Sequence, residues 1–190
     1  MARPAEYVFA YASLTASERI SRRREDGRAF VADLRGARRG WGVAMDNRID
    51  LPGYKCYVRA DGCRPDLSVC FLDIETDESP DGRVNGVCLP VDATRLAALD
   101  RRERNYDRID VSGRVRGADG MRVWTYRGSP QGRARFRAAV RAGTAVIHAG
   151  YVETVRAGFQ ALGSAEWTAC APSLHPGGLP VVALERRELP

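Results

Sequence analysis

Short apolar runs separated by turn-forming residues constrain the fold more than any other feature of this sequence. Each run is rich in β-branched and aromatic residues and is too short for an ordinary helix, which predicts strands. Spacers such as residues 60–65 and 77–82 contain Asp, Gly and Pro, which indicate turns. Gly86, inside one run, indicates a bulge or the close approach of another backbone. The predicted strands cover residues 7–11, one or two segments of 29–45, then 54–58, 67–75, 84–91, 109–115 and 121–126.

Helical patterns occupy the later part of the chain. Asp92 is a typical N-cap for a helix that we predict to end near Asn105. Another helix is predicted from Gln131, and a longer one follows Gly143. The apolar face of the longer helix would carry Ile147, Tyr151, Val155, Phe159 and Leu162. Strands in the middle, with helices outside or at the end, predict an α+β fold with a curved or barrel-like sheet.

The length and composition fit one packed domain that spans residues 1–190, because the chain has 190 residues of which 44% are apolar. Residues 165–190 contain several Pro and Gly, which predict an irregular C-terminal extension with one short strand at 181–184. No apolar run approaches the roughly 18–20 residues that span a bilayer, and the first residues lack the order of a secretory signal. We therefore expect a cytoplasmic protein without a membrane partner. The sequence predicts no oligomeric state.

The formal net charge of +6 does not by itself predict a nucleic-acid partner. Of the 30 basic residues only Lys55 is a lysine, and the arginines alternate with acidic residues, as in 100–104. A binding arm is more often a block of like charge, so we do not expect nucleic acid to bind. The least favoured alternative, an arginine-rich RNA-binding module, requires a contiguous basic face. That face would be built from Arg22, Arg23, Arg24, Arg35, Arg38 and Arg39.

No metal site is expected. The five cysteines have irregular spacing without a CxxC pair, and the two histidines, His148 and His175, lie far apart in the sequence. Structural zinc sites are built from closely spaced pairs of such ligands.

Glu103 is the most informative single residue. On the predicted helix, Leu96 and Leu99 define the buried stripe, whose next positions are Glu103 and Tyr106. A buried carboxylate is unfavourable unless its pKa rises or it gains a partner, and a carboxyl with a pKa near neutrality can transfer protons. The pattern leaves two other interpretations open. The helix ends by residue 103, or Glu103 forms a structural ion pair with one of the arginines at 22–24 or with another arginine.

The residues that follow the first strand are Tyr11, Ala12, Ser13 and Leu14. Small residues at the end of a strand let backbone N–H groups converge on an anion or on a developing oxyanion. The other interpretation is an ordinary structural turn.

Three segments of the chain resemble segments of the γ-glutamylcyclotransferase-like superfamily, and they follow one another in the same order as in that family. Residues 9–14 resemble its Tyr-Gly-Ser-Leu or Tyr-Gly-Ser-Asn loop, and residues 99–108 are similar to the segment that carries its catalytic glutamate. Residues 84–91 resemble the strand before that helix, and the likeness covers about 7–160. One departure is Ala12, where the family usually has glycine. Either that position has φ > 0 and alanine is strained by about 1 kcal/mol or more, or the added methyl narrows the site.

The resemblance implies a small mixed β-barrel flanked by helices and a γ-glutamylcyclotransferase activity, of transferase or lyase type, without metal or cofactor. The substrate is then a small γ-glutamyl compound. Its α-amine attacks its own γ-carbonyl and releases 5-oxoproline together with an amine or amino acid. Glu103 is implied as the general acid and base, and the backbone of residues 11–14 as the group that binds the α-carboxylate or the oxyanion.

The resemblance also implies pocket roles for three tyrosines. Tyr126 and Tyr151 would line the pocket, and Tyr106 would orient Glu103 through its hydroxyl group. Each of the three also fits a purely structural role in the buried core. A further alternative is a binding or scaffold protein on the same fold that has lost turnover. It predicts that Glu103 is paired with an arginine and that no pocket connects Glu103 to residues 11–14.

Overall fold

Strands dominate the first two thirds of the chain, and three of the four α-helices that the structure describes follow them. The computed structural model describes residues 6–16 and 29–190. The strands are β1 (Glu6–Ala10), β2 (Phe30–Arg35), β3 (Ala37–Asp46), β4 (Lys55–Val58), β5 (Ser68–Thr76), β6 (Arg83–Val91), β7 (Tyr106–Asp110), β8 (Val115–Arg116), β9 (Arg122–Gly128), β10 (Ala145–His148), β11 (Val181–Val182) and β12 (Glu185–Glu188). The helices are α1 (Ala93–Arg102), α2 (Pro130–Ala142), α3 (Ala149–Leu162) and α4 (Ser164–Cys170), and short 3₁₀ helices span Ser13–Ala16 and Ala171–Leu174.

The strands form a mixed, strongly curled arrangement. In the six-stranded sheet, with the order β7-β9-β1-β6-β2-β8, β1 runs antiparallel to β6 and parallel to β9. A four-stranded sheet has the order β11-β10-β5-β3, and β12 pairs with β4 in a separate antiparallel ribbon. The half-barrel with surrounding helices confirms the predicted α+β fold with a curved sheet.

Close backbone approach at two glycines fixes the exit of β1. A Cβ at Gly86 of β6 would overlap the carbonyl oxygen of Ala10 and lie 2.8 Å from the ring of Phe9. A Cβ at Gly158 of α3 would overlap the hydroxyl oxygen of Thr15. The chain that leaves β1 is therefore held between β6 and α3, and the close approach predicted at Gly86 is confirmed.

Two predicted helix boundaries are wrong. Asp92 caps α1 as predicted, since its side chain accepts a hydrogen bond from the amide of Arg95 at 2.7 Å, but α1 ends at Arg102 rather than near Asn105. Tyr106 therefore begins β7 and does not continue a helical stripe. Ile147 lies in β10, because the apolar run before α3 pairs in parallel with β5. The spacing of its apolar residues fits both a strand and the extension of a helix.

The C-terminal segment, predicted to be irregular, is more regular than expected. It contains α4, a 3₁₀ helix, β11 and β12, with β11 inside the strand predicted at 181–184. Strand β12 has the wholly polar sequence Glu-Arg-Arg-Glu, which carries no apolar alternation. Its strand conformation comes from pairing with β4, where Glu188 stands opposite Lys55.

The contiguous basic face that an RNA-binding module requires is contradicted at Arg39. Its guanidinium donates hydrogen bonds to the carbonyl oxygens of Tyr11 (2.9 Å) and Asn85 (3.0 Å) and lies 4.8 Å from the ring centroid of Phe159. Arg38 forms an ion pair with Glu75. The arginines at 22–24 lie outside the described residues. Across the described ranges, no helix is long and apolar enough to cross a membrane.

Candidate active site

A cavity of about 260 Å³ lies where the exit of β1, the end of α1 and the start of α3 meet. Strands β4, β5, β7, β9, β10 and β12 complete its wall. It brings together segments that are far apart in the sequence. The residues singled out from the sequence all line it, namely Tyr11, Ala12, Ser13, Leu14, Glu103, Tyr106, Tyr126 and Tyr151.

Three residues of the turn after β1, Ala12, Ser13 and Leu14, line the cavity. The amide of Thr15 bonds to the carbonyl of Ala12 at 2.9 Å, and Arg39 holds the carbonyl of Tyr11. Because C=O and N–H point in opposite directions across a trans peptide, the N–H of Ala12 points away from Arg39. Within 6–16 and 29–190, no acceptor is hydrogen-bonded to the amides of Ala12, Ser13 or Leu14. These amides can bind an anionic oxygen.

Ala12 is not strained. Every residue with positive φ in the described part of the chain is a glycine, so Ala12 does not adopt a left-handed conformation. Of the two consequences considered for the missing glycine, backbone strain is therefore excluded. The other consequence, that the added methyl group narrows the site, stays open, and Ala12 does line the cavity.

Glu103 occupies the sharp turn between α1 and β7. Its amide bonds to the carbonyl of Leu99 at 2.8 Å, and its carbonyl accepts from the amide of Tyr106 at 2.9 Å. Both bonds fix the backbone, so the side chain is directed by a rigid turn rather than by a fraying helix end. The side chain is 17% exposed, and its Oε1 lies 3.3 Å from Nε of Arg102.

Burial raises the pKa of the Glu103 carboxyl above the ordinary glutamate value, and the charges of Arg102, Lys55 and Arg186 offset only part of this effect. Among the residues that the structure describes, none donates a hydrogen bond to this carboxylate. Its oxygens are therefore free to exchange protons with a bound molecule.

Each of the two interpretations left open for Glu103 is correct in part. The helix does end before residue 103, and Glu103 does lie beside an arginine, Arg102. The guanidinium of Arg102 is more than half exposed, so the pair is a weak one at the rim of the cavity. The second requirement of the scaffold alternative is not met, because one cavity connects Glu103 with residues 11–14.

The tyrosine hydroxyl groups are bonded to the protein rather than to Glu103. Tyr106 donates to the carbonyl of Leu72 at 2.7 Å, so its predicted role of orienting Glu103 by a hydrogen bond is not what the structure shows. Tyr11 donates to the carbonyl of Tyr126 at 2.7 Å, and Tyr126 donates to Asp100 at 2.8 Å. Tyr151 accepts from the amide of Leu72 at 3.3 Å.

Burial raises the pKa values of all four of these tyrosines. They therefore stay neutral near pH 7. As neutral aromatic rings, they shape the cavity walls rather than exchange protons with a bound molecule.

Sequence reasoning missed the charged wall formed by β4 and β12. Lys55 of β4 and Arg186 and Glu188 of β12 line the cavity. Desolvation, together with the charge of Arg186, lowers the pKa of Lys55 to about 8. A signal was present, since Lys55 is the only lysine beside 29 arginines. Arginine stays protonated under all physiological conditions, whereas lysine in a partly desolvated site does not.

The described residues contain no group of three or more His, Cys, Asp or Glu side chains that could hold a metal ion. His148 also lines the cavity, and burial lowers the pKa of its imidazole.

Comparison with solved structures identifies the architecture. YkqA from Bacillus subtilis superposes with a TM-score of 0.57 at 20% identity over 95% of this chain, which spans 57% of the length of YkqA. A protein described as gamma-glutamyl cyclotransferase superposes with a TM-score of 0.53 at 17% identity, over 93% of this chain and 92% of that protein. No protein-family model matches the sequence, and no curated protein matches it significantly. The chain has the fold of the γ-glutamylcyclotransferase-like superfamily, as the resemblance of its three segments implied.

Proposed function

We propose that this protein is a γ-glutamylcyclotransferase-type enzyme that releases 5-oxoproline from a small γ-glutamyl amide. The observation that carries the proposal is the position of Glu103, which shares one cavity with the amides of residues 12–14, for which the described residues supply no hydrogen-bond acceptor. A carboxyl group with a raised pKa and a set of backbone donors are two components that serve this reaction. The same fold is seen in a protein described as a gamma-glutamyl cyclotransferase.

The first step of the proposed reaction is removal of a proton. The α-ammonium group of the substrate is not nucleophilic, so the Glu103 carboxylate accepts a proton from it. The resulting amine attacks the γ-carbonyl carbon of the same molecule, and the carbonyl oxygen becomes an oxyanion. Amides of residues 12–14 bind either this oxyanion or the α-carboxylate of the substrate.

The second step breaks the amide bond. Glu103 returns the first proton to the leaving nitrogen. The ring nitrogen then loses a second proton, which also ends on the released amine. Overall, the α-nitrogen loses two protons and the leaving amine gains both, so the Glu103 carboxylate is regenerated. Ring closure is intramolecular, and a cavity that holds the substrate folded back supplies much of the rate acceleration by orientation.

The test is release of 5-oxoproline from a panel of γ-glutamyl-amino acids, γ-glutamylamines and glutathione. We expect turnover of at least one compound, measured by chromatographic detection of 5-oxoproline against a reaction without enzyme. Absence of 5-oxoproline across the whole panel, from protein with a cooperative unfolding transition, would contradict the proposed function.

The pH dependence should follow the carboxyl group of Glu103. Its pKa is raised above the ordinary value of 4.5, and only the deprotonated form accepts the substrate's proton. We therefore expect kcat/KM to fall as the pH decreases, with a midpoint above 4.5. A pH–rate profile measured in a constant-ionic-strength buffer checks this. An acid limb with its midpoint at or below 4.5 would show that an unperturbed carboxyl is the base.

Replacing Ala12 by glycine should widen the substrate range without loss of the fold. Ala12 lines the cavity and does not have positive φ, so A12G removes a methyl group from a lining residue but relieves no left-handed strain. We expect its free energy of unfolding to fall by about 0.4–1 kcal/mol, because glycine adds freedom to the unfolded chain. The measurement compares kcat/KM for γ-glutamyl compounds with small and with bulky leaving groups, alongside urea unfolding. An increase in stability would instead indicate hidden strain at Ala12.

A further inference from the structure

Arg39 places a positive charge on the core side of β3. Side chains alternate between the two faces of a strand, and Arg39 shares the face of Ala37 and Trp41, both of which pack against the main core. Among the described residues, no carboxylate forms a salt bridge with its guanidinium, and its buried Nε has no hydrogen-bond acceptor. A cation in such a position is unfavourable unless other interactions compensate for the lost hydration. Stability alone therefore does not explain this residue.

The guanidinium of Arg39 instead binds carbonyl and amide oxygens at the exit of β1. Its Nη1 donates to the carbonyl oxygens of Tyr11 (2.9 Å) and Asn85 (3.0 Å), and its Nη2 donates to Oδ1 of Asn85 at 2.8 Å. Asn85 is itself buried, and its Nδ2 donates to Oε2 of Glu166 at 2.7 Å. The guanidinium carbon lies 4.8 Å from the ring centroid of Phe159. Together these contacts hold the guanidinium in one orientation, with Nη1 on the carbonyl of Tyr11.

A single peptide group connects Arg39 to the cavity. Tyr11 and Ala12 line the cavity, whereas Arg39 and Asn85 are not part of its described wall. The carbonyl of Tyr11 is turned toward Arg39, so the N–H of Ala12, on the opposite side of the same peptide, is turned away from it. The described residues supply no acceptor for that N–H. A cation bonded to the carbonyl oxygen polarises the peptide and makes its N–H a stronger donor.

We propose that Arg39 is a positioning residue, which fixes and polarises the Tyr11–Ala12 peptide so that the amide of Ala12 is a preorganised donor to an anionic oxygen of the substrate. This inference rests on the proposed cyclotransferase function. Preorganised donors stabilise a developing charge without moving during the reaction, and their orientation depends on the groups that hold them. Arg39 does not touch the substrate in this assignment, because it acts from the other side of the peptide.

The test replaces Arg39 by methionine, which keeps part of the apolar packing and removes the charge and the donors. Loss of a whole oxyanion donor costs about 10²–10³-fold, and an N–H that has lost only its orienting partner should lose less, so we expect kcat/KM to fall by about 10–100-fold. Arg39→Lys, which keeps one charged donor, should lie between Arg39→Met and the unmodified protein. The acid limb of the pH–rate profile should keep its midpoint, because it belongs to Glu103, whose pKa is raised by burial and is not shifted by Arg39.

Arg114→Met is the matched control. The guanidinium of Arg114 also donates to two backbone carbonyls, those of Arg35 (2.9 Å) and Gly36 (2.8 Å), but Arg114 does not line the cavity. Its replacement should leave kcat/KM unchanged within error. Thermal unfolding of every variant establishes that folded protein is assayed. If Arg39→Met shows no cooperative transition, Arg39→Gln is the second neutral variant, because its amide can still donate to one of the carbonyls without a charge.

The outcomes separate this role from the proposed function. If the kcat/KM of the neutral Arg39 variant equals that of Arg114→Met, the role of Arg39 is overturned while the cyclotransferase function stands. An equal loss in Arg39→Lys and in the neutral variant would also overturn it, because the loss would then follow packing rather than the charged donor. The same holds for a shifted acid limb, which would mean that Arg39 acts on Glu103. No 5-oxoproline from the unmodified protein across the panel would overturn both proposals.

Discussion

Replacing Glu103 by glutamine is expected to abolish 5-oxoproline formation while the protein stays folded. General acid–base catalysis typically contributes about 10²–10⁴-fold to a rate, and here one carboxyl is assigned both transfers, so we expect kcat to fall by at least about 10³-fold. Glutamine has the same size and cannot accept the proton of the substrate. The measurement is kcat for the best substrate of the panel in matched preparations.

The stability of E103Q should be close to that of the unmodified protein or slightly higher. Burial disfavours the charged carboxylate, and the ion pair with Arg102 lies at the exposed rim, so little is lost when the charge is removed. Glu153→Gln is the matched control, because Glu153 is an exposed residue of α3 whose partner is Arg156 at 3.4 Å and which does not line the cavity. If the kcat of the E103Q variant equals that of the E153Q variant, Glu103 is not part of the mechanism.

Replacing Gly86 by alanine should have the largest effect on stability. The new Cβ would overlap the carbonyl oxygen of Ala10 and crowd the ring of Phe9, so β1 and β6 must separate at the point where the turn begins. Overpacking of this kind costs about 1–3 kcal/mol of unfolding free energy. Since the amides of residues 12–14 follow directly, we also expect activity to fall. Urea unfolding and kcat/KM, measured on the same samples, check both effects.

Gly40→Ala provides the control for this substitution. Gly40 lies in β3 and does not require positive φ, and a Cβ added there would meet no atom within 4 Å. Its replacement should change the free energy of unfolding by no more than about 0.5 kcal/mol. Equal stability of the two variants would mean that β1 and β6 can adjust without strain, and that the exit of β1 is less fixed than the structure indicates.

Local sequence signals were sufficient where one element determines its own conformation. The β-branched runs form strands, Asp92 caps α1, and the small residues after β1 form a tight turn. Each of these depends on side chains within a few residues along the chain. Glu103 was also accessible from the sequence, because it lies four residues after the buried Leu99, although the structure places it in the turn that ends α1 and not in the helix itself.

The end of α1 and the start of α3 could not be placed in the same way. Ile147 has a spacing that fits a helix, but Ala145–His148 pairs with β5 instead of extending α3. The hydroxyl group of Tyr106 was expected at Glu103 and instead bonds to the carbonyl of Leu72, on a strand 34 residues away. Where a segment fits a helix and a strand equally well, contacts with residues that are distant in the sequence decide which one forms.

By itself, the sequence determined the strand-rich α+β character, the capped helix before Glu103 and the identity of the carboxylate at the centre of the candidate site. Only the tertiary structure decided that Arg39 is turned inward to hold the carbonyl of Tyr11 and that Glu185–Glu188 becomes a strand. It also placed Lys55 in the same cavity as Glu103. The reason is physical, because hydrogen bonding between distant strands and the desolvation of a charge both depend on neighbours that local sequence patterns do not specify.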